Sequence, residues 1–177
     1  METARLYIAE EFEQLYNEQF PLVYNYIFFR IGHAADAEDL TADVFVRAYQ
    51  YWGSFAEHKG TRGVWIGGIA RNMVNTYLGK KNRSPPVANI VEFGEFLGAD
   101  ADTESEFFRI MDINRILLLI AKLPDNKREL LAMKYTLGLT NREIARITGM
   151  GESAVSKSLC RTLEELRERF AKLSPTF

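Results

Sequence analysis

Apolar side chains recur at three- and four-residue steps through most of this chain, the period of an amphipathic helix and not of a strand. The first stripe is Phe12, Leu15, Tyr16, Phe20, Val23, Tyr24, Ile27, Phe28 and Ile31. Pro21 lies inside it and predicts a break or kink, because proline removes a helical donor. Gly32 predicts the end of that helix. Asp36 then predicts the cap of a second helix over 37–52, with Leu40, Val44, Phe45, Ala48 and Tyr49 on its buried face. Residues 53–63 contain three glycines and predict an ordered loop. A third helix follows over about 64–81, with Trp65, Ile69, Met73, Val74, Tyr77 and Leu78 as core positions.

Ser84, Pro85 and Pro86 stop that helix. Residues 84–104 lose the period and read as a linker with at most short structure around 90–97. The helical period resumes over 105–122, where Phe108, Met111, Ile116, Leu117 and Ile120 face inward. A further helix over 125–136 follows Pro124 and ends at Gly138. Thr140 and Glu143 have capping-box spacing. The last helix spans about 152–172, with Val155, Leu159, Leu163, Leu166 and Phe170 on one face. The expected fold is all-α: two small helical domains over 1–83 and 108–177, joined by a flexible acidic linker over 84–107.

Within the second domain, TNREIARITGMGESAVSKSLCR at 140–161 has helix-turn-helix spacing. Ala145 is small enough for a second helix to cross close by, Gly149 supplies a left-handed turn, and Val155 locks the pair. Ile144 and Leu159 close the small core. Such a unit puts its second helix in the DNA major groove.

Composition changes this picture in two ways. One cysteine, Cys160, in 177 residues excludes an internal disulfide and fits a reducing compartment. With no apolar run near the roughly 18 residues of a membrane span and no signal-peptide pattern at the N-terminus, a cytoplasmic location is expected. Net charge is −2, which looks wrong for a DNA binder until it is divided. Residues 1–83 carry −1, 84–121 carry −5 and 122–177 carry +4, and residues 58–83 hold Lys59, Arg62, Arg71, Lys80, Lys81 and Arg83 with no acid. Local patches, not the average, set phosphate affinity.

The basic helix also carries Asn72, Asn75, Thr76 and Tyr77. Amides and hydroxyls read base edges, aromatics stack on unpaired bases and cations hold phosphates; a solvated helix face is the alternative. Asp36, Asp39, Asp43 and Arg47 share one face of the second helix. That face either complements the helix dipole with internal pairing or docks a basic protein. His33 and His58 lack ligand spacing, and no HExxH, paired cysteines or phosphate-binding glycine loop occurs, so no metal, cofactor or catalysis is expected.

Taken together, these blocks resemble the extracytoplasmic-function class of bacterial sigma factors. DAEDLTADVFVRAYQYW is similar to the family's polymerase-binding helix, VWIGGIARNMVNTYLGKKNR to its −10 recognition helix, and LPDNKRELLAMKYTLGLTNREIARITGMGESAVSKSLCRTLEEL to its −35-reading domain. The resemblance covers about residues 9–83 and 108–170. It implies a protein without enzymatic activity that binds core RNA polymerase and directs it to promoter DNA. It also implies an anti-sigma factor as a partner.

By that resemblance Asp36, Glu38, Asp39, Asp43 and Arg47 dock on the polymerase, and residues 53–63 hold a flipped −10 base. Lys59, Arg62, Arg71, Asn72, Asn75, Thr76, Lys80, Lys81 and Arg83 line the −10 strand. Ser153, Ser156, Lys157, Cys160 and Arg161 face the −35 groove, with Thr140 and Arg142 at phosphate. The chain departs from the family at Ala42, where Gln is common, at Asn75, where Asp is common, and in VSKSL at 155–159, where VKSRL is common. On residues alone two rivals stand: a helix-turn-helix repressor or activator that never joins polymerase, and a nucleic-acid enzyme. The first leaves the acidic helix unexplained. The second lacks carboxylates near the basic helix, since no acid occurs between residues 58 and 91.

Overall fold

The computed structural model describes residues 2–55, 60–81 and 114–173, with backbone alone for 2–9 and 81. Among these residues every regular element is helical. The first bundle is α1 (Glu2–Ile31), α2 (Ala34–Gln50) and α3 (Arg62–Lys81), with a 3-10 turn at Trp52–Ser54 between the last two. The second is α4, described over 114–121, then α5 (Asp125–Tyr135), α6 (Asn141–Thr148) and α7 (Glu152–Leu173). The expected linker at 84–107, and Phe108 and Met111 of the next expected helix, lie outside the described residues.

Of the break or kink expected at Pro21, the break does not occur, since α1 runs through that residue. Pro21 and Asn17 are both exposed, so the carbonyl that proline deprives of a helical partner faces water. On the opposite side Leu15, Val23 and Ile27 are fully buried and hold both halves of the helix against one core. Aromatic edges tie α1 to α2: Phe12 meets Tyr49 with ring centroids 5.1 Å apart, and Tyr16 meets Phe45 at 4.8 Å.

α2 begins three residues before the expected start at 37. Its cap is His33, whose Nδ1 accepts the Asp36 N–H at 3.3 Å. Asp36 is therefore a first-turn acid favoured by the helix dipole, not the cap. Val44, Phe45 and Ala48 are buried as expected, whereas Tyr49 is 57% exposed and touches Phe12 only by its edge.

α3 departs most from expectation. Its buried positions are Val64, Ile66, Gly67, Ala70 and Val74. Of the expected core set only Val74 is among them; Trp65, Ile69, Met73, Tyr77 and Leu78 are partly buried. The helix packs on two sides at once, against α1 and α2 and against α6 of the second bundle.

The helix-turn-helix is formed by α6 and α7. Thr140 caps α6, its hydroxyl accepting the Glu143 N–H at 3.3 Å while Glu143 accepts the Thr140 N–H at 2.8 Å. Gly149 ends α6 at φ 75°, a left-handed conformation that costs a side-chain-bearing residue about 1–2 kcal/mol. Ile144 and Val155 are fully buried, and Leu159 nearly so. On α7 the stripe continues through Thr162, buried to 1%, while Leu163 is 42% exposed instead of inward.

Apolar burial is continuous from one bundle into the other. Gly67 is part of the reason: a Cβ placed there would meet the Leu137 Cδ1 at 3.3 Å, with Ile147 and Leu139 at 3.7 Å. At neighbouring Gly68 a Cβ would meet nothing within 4 Å. Gly68→Ala should therefore raise stability by about 0.5–1 kcal/mol, the helix penalty of glycine relative to alanine. Ile144→Ala should cost about 2–5 kcal/mol by opening a cavity in the helix-turn-helix core. Urea unfolding checks both, and an unchanged midpoint for either variant contradicts the packing described.

Candidate protein and nucleic-acid interfaces

Four surfaces gather the side chains singled out by sequence. The first is the outer face of α2. Glu38, Asp39, Asp43 and Arg47 are exposed there, together with Val46 and Tyr49. Asp36 differs from the rest, because its carboxylate accepts the Tyr77 hydroxyl of α3 and lies 3.5 Å from the His33 Nδ1. Asp36 thus braces α2 against α3, and the free acidic face consists of the other three carboxylates.

The second is a cleft of about 630 Å³ between α2, the 3-10 turn and α3. Trp65, Ile69 and Met73 give it an apolar wall, with Tyr51 and Ser54 at one end. Asn72, Thr76 and Lys80 supply polar atoms, and Asp43 and Arg47 border it from α2. The Thr76 hydroxyl donates to the Asn72 carbonyl at 2.8 Å, which fixes its rotamer. Trp65 meets Phe55 with centroids 5.4 Å apart and Trp52 at 6.0 Å, edge to face. This aromatic cluster keeps the indole in place, with one side turned to the cleft. The partial burial of the expected α3 core face follows: these residues line an opening.

Arg62 turns back onto its own bundle, with its guanidinium 5.5 Å from the Trp52 ring centre and 3.6 Å from Glu11. Lys59 and Arg83 lie outside the described residues, as does the Lys81 side chain.

The third surface lies at the junction of the two bundles. Arg30 has no exposed area. Its Nη2 donates to Asp125 at 2.9 Å and its Nη1 lies 3.1 Å from the Glu129 Oε1. Arg71 donates from Nε to the same Glu129 oxygen at 3.0 Å and from Nη1 to the Ile147 carbonyl at 3.5 Å. Asn75, though exposed, accepts from Arg30 at 3.4 Å. Arg128 holds Asp125 from the other side at 3.1 Å and caps the Ala121 carbonyl.

The Arg30 Nη1 contact is an ion pair without hydrogen-bond alignment, and Nε has no hydrogen-bond partner among the described residues. The Tyr26 hydroxyl beside them is also buried without one among these residues, and burial pushes its pKa far up, against the pull of Arg30. Of the nine −10 positions expected from sequence, Arg71 and Asn75 are thus engaged by the second bundle or its partner arginine. Arg30, Asp125 and Glu129 were not singled out by sequence. A signal for Arg30 existed, because it follows Val23, Tyr26 and Ile27 on the apolar stripe of α1.

The fourth surface is α7. Ser153, Ser156, Lys157, Cys160 and Arg161 share one exposed face opposite Val155 and Leu159. Arg142 is exposed at the start of α6, and the Thr140 hydroxyl is spent on its cap. The Cys160 thiol sits 3.7 Å from Glu164. Among the described residues no group of three His, Cys, Asp or Glu side chains could hold a metal, and no helix is long and apolar enough to cross a membrane.

The Glu143 carboxyl serves two surfaces, because it also accepts the Thr61 hydroxyl at 3.4 Å. Burial raises its pKa, but the Thr140 amide and hydroxyl, Thr61 and the Arg146 charge outweigh that and hold it below the ordinary value. A carboxyl depressed on folding stabilises above its unfolded pKa and loses that contribution as pH falls through the folded one. Glu143→Ala should therefore cost about 1 kcal/mol at neutral pH. Thermal unfolding of both proteins should converge as pH drops below about 4. A gap that persists unchanged at low pH would refute the assignment.

The family model described as Sigma-70 region 2 matches residues 15–84, and that described as Sigma-70, region 4 matches residues 113–166. The ECF RNA polymerase sigma factor BldN of Streptomyces coelicolor is 30% identical over 169 residues, which is 94% of this chain and 62% of BldN. The chain thus spans less than two thirds of that relative's length. The RNA polymerase sigma factor YlaC of Bacillus subtilis is 28% identical over 168 residues, 92% of this chain and 94% of YlaC. Among solved structures, the sigma factor RpoE of Bartonella quintana, crystallised with the anti-sigma factor NepR, matches in fold with a TM-score of 0.69. That match is at 17% identity and covers 93% of this chain and 99% of the other.

Proposed function

The chain belongs to the extracytoplasmic-function class of sigma-70 RNA polymerase sigma factors, and on that premise we propose that it binds core RNA polymerase and directs it to a restricted set of promoters. It does no chemistry of its own; it positions polymerase and DNA, and it acts in the cytoplasm. The observation that carries this reading is the joint presence, in one chain and in order, of an exposed acidic helix, an aromatic-walled cleft beside a basic helix, and a helix-turn-helix.

Glu38, Asp39, Asp43 and Arg47 form the polymerase-docking face, where complementary charge speeds and orients encounter. Asp36 joins that face at its edge, with one carboxylate oxygen held by Tyr77. The cleft accepts a base flipped from the −10 strand. Trp65 offers it a stacking surface, the Asn72 amide reads its edge, and Lys80 holds an adjacent phosphate. Arg62, Thr76, Lys59, Lys81 and Arg83 complete that strand path, and Arg71 and Asn75 join it once freed from the second bundle. In the second bundle Ser153, Ser156, Lys157, Cys160 and Arg161 enter the −35 major groove, with Thr140 and Arg142 at the flanking backbone.

An anti-sigma protein completes the proposed partners. The support is an apolar groove of about 320 Å³ walled by Ile116, Tyr135, Leu163 and Phe170. Tyr135 is 62% exposed there, and such a patch suits an amphipathic helix.

Run-off transcription with purified core polymerase on a promoter library tests the main reading, and the absence of selected start sites would sink it. Asp39→Lys with Asp43→Lys should weaken core polymerase binding by at least about tenfold, or 1.4 kcal/mol, while leaving duplex binding by the second bundle intact. A repressor would show no polymerase effect. Lys157→Ala, if its ammonium meets phosphate, should lower the slope of log affinity against log salt by about 1 on −35 duplex. A salt slope equal to wild type would exclude a phosphate contact by Lys157.

A further inference from the structure

We propose that the contact between the bundles masks a phosphate-binding site: Arg30, Arg71 and Asn75 form an anion site on the first bundle, and Asp125 and Glu129 occupy it in place of a DNA backbone phosphate. The inference rests on the proposed meeting of α3 with promoter DNA, and it adds Arg30 and an intramolecular competitor to it.

The chemistry of the site points to an anion larger than a carboxylate. Two guanidinium groups converge on a single oxygen, the Glu129 Oε1, at 3.1 and 3.0 Å. Arg30 is wholly buried, yet among the described residues its Nε finds no hydrogen-bond partner and its Nη1 contact with Glu129 lacks hydrogen-bond geometry. Two carboxylates from one helix therefore satisfy the guanidinium donors incompletely. Phosphate presents more oxygens and matches the guanidinium fork at least as well. Among the described residues, every ion-pair partner of Arg30 and Arg71 lies on α5, in the second bundle. The first bundle alone thus carries two adjacent cations on a helix pair with no acid of its own opposite them.

The competitor is built from the wrong charge for its surroundings. Residues 122–177 carry a net charge of +4, yet three of their acids, Asp125, Glu129 and Glu143, reach residues of the first bundle. While α5 is seated, Arg30 is sealed from any phosphate and Arg71, its side chain 23% exposed, has its Nε taken by Glu129. DNA and closure then exclude one another, and the apparent affinity for DNA falls by the fraction of molecules that are open. A buried ion pair is close to energetically neutral against its desolvation, which suits a contact that must open. Shape contributes alongside charge, since Gly67 lets Leu137 and Ile147 approach α3.

The test uses the full chain without polymerase, so that its failure is separate from failure of run-off transcription by the wild type. Two variants open the contact by different means. Glu129→Gln removes the competing charge, and Gly67→Ile wedges the bundles apart with no change of charge. Small-angle scattering reads compaction, and fluorescence anisotropy reads binding of a short random-sequence single-stranded DNA at low salt. Each variant should have a larger radius of gyration than wild type and bind this DNA about tenfold more tightly. Adding Arg71→Ala to either should reverse most of the gain. If Glu129→Gln does not fold, Gly67→Ile alone decides.

The proposal is overturned by an expanded variant whose affinity stays within about twofold of wild type, by variants that both stay compact, or by a gain that survives Arg71→Ala. A gain confined to Glu129→Gln would also overturn it, because loss of a negative charge alone would account for the effect.

Discussion

A guanidinium sealed from water cannot stand alone, and Arg30 is sealed completely. An unpaired charge in a protein interior costs several kcal/mol, so wherever Arg30 is buried its anions must come with it. They come from α5, through Asp125 and Glu129. This one requirement sets how the second bundle sits on the first. It aligns the start of α5 with the end of α1, carries Ile147 and Leu137 onto α3, and brings Glu143 to Thr61. The apolar core runs unbroken across the junction because the ionic contact has already fixed the geometry.

That constraint explains why α3 has no simple inside and outside. One face packs on α1 and α2 through Ile66, Ala70 and Val74; Gly67 and Arg71 meet the second bundle; Trp65, Ile69, Met73 and Tyr77 wall the cleft. A helix asked to satisfy three neighbours cannot keep a single apolar stripe. Its glycines divide in the same way. Gly67 is small because Leu137 is near, whereas the space around Gly68 requires nothing of it.

What the sequence made legible was local. The Thr140 capping box, the Gly149 turn, the stripe of α1 and the Val155–Leu159 seam depend on residues within a few positions of one another, and each formed as its pattern implied. The misreadings share a cause in tertiary contact. Pro21 did not end α1, because the lost bond faced water while both flanks packed on one core. Asp36 did not cap α2, because His33 took that place and Tyr77, 41 residues away, took the Asp36 carboxylate. Tyr49 and Leu163 matched a helical period yet ended at the surface, since period alone cannot say how wide a buried stripe is. The partners of Arg30 lie 95 and 99 residues along the chain, and no spacing rule reaches that far. The arginine itself, set among Tyr26, Ile27 and Ile31, was the readable sign that a second surface had to arrive.

The net charge of −2 acquires a physical meaning in this arrangement. A cationic helix open to solvent would bind any polyanion, because phosphate attraction is indifferent to sequence. Here α3 offers its polar atoms in two groups. Asn72, Thr76 and Lys80 open onto the cleft beside Trp65, where a base must enter for contact to be made. Arg71 lies against Glu129, whose carboxylate holds its Nε and must yield before a polyanion can take that donor. The exposed face of α7 carries the other cations, Lys157 and Arg161, beside serines that can read base edges. On the proposed reading, the most permissive contact is thus withheld while the more discriminating surfaces stay open, and selection among DNA sequences precedes tight binding.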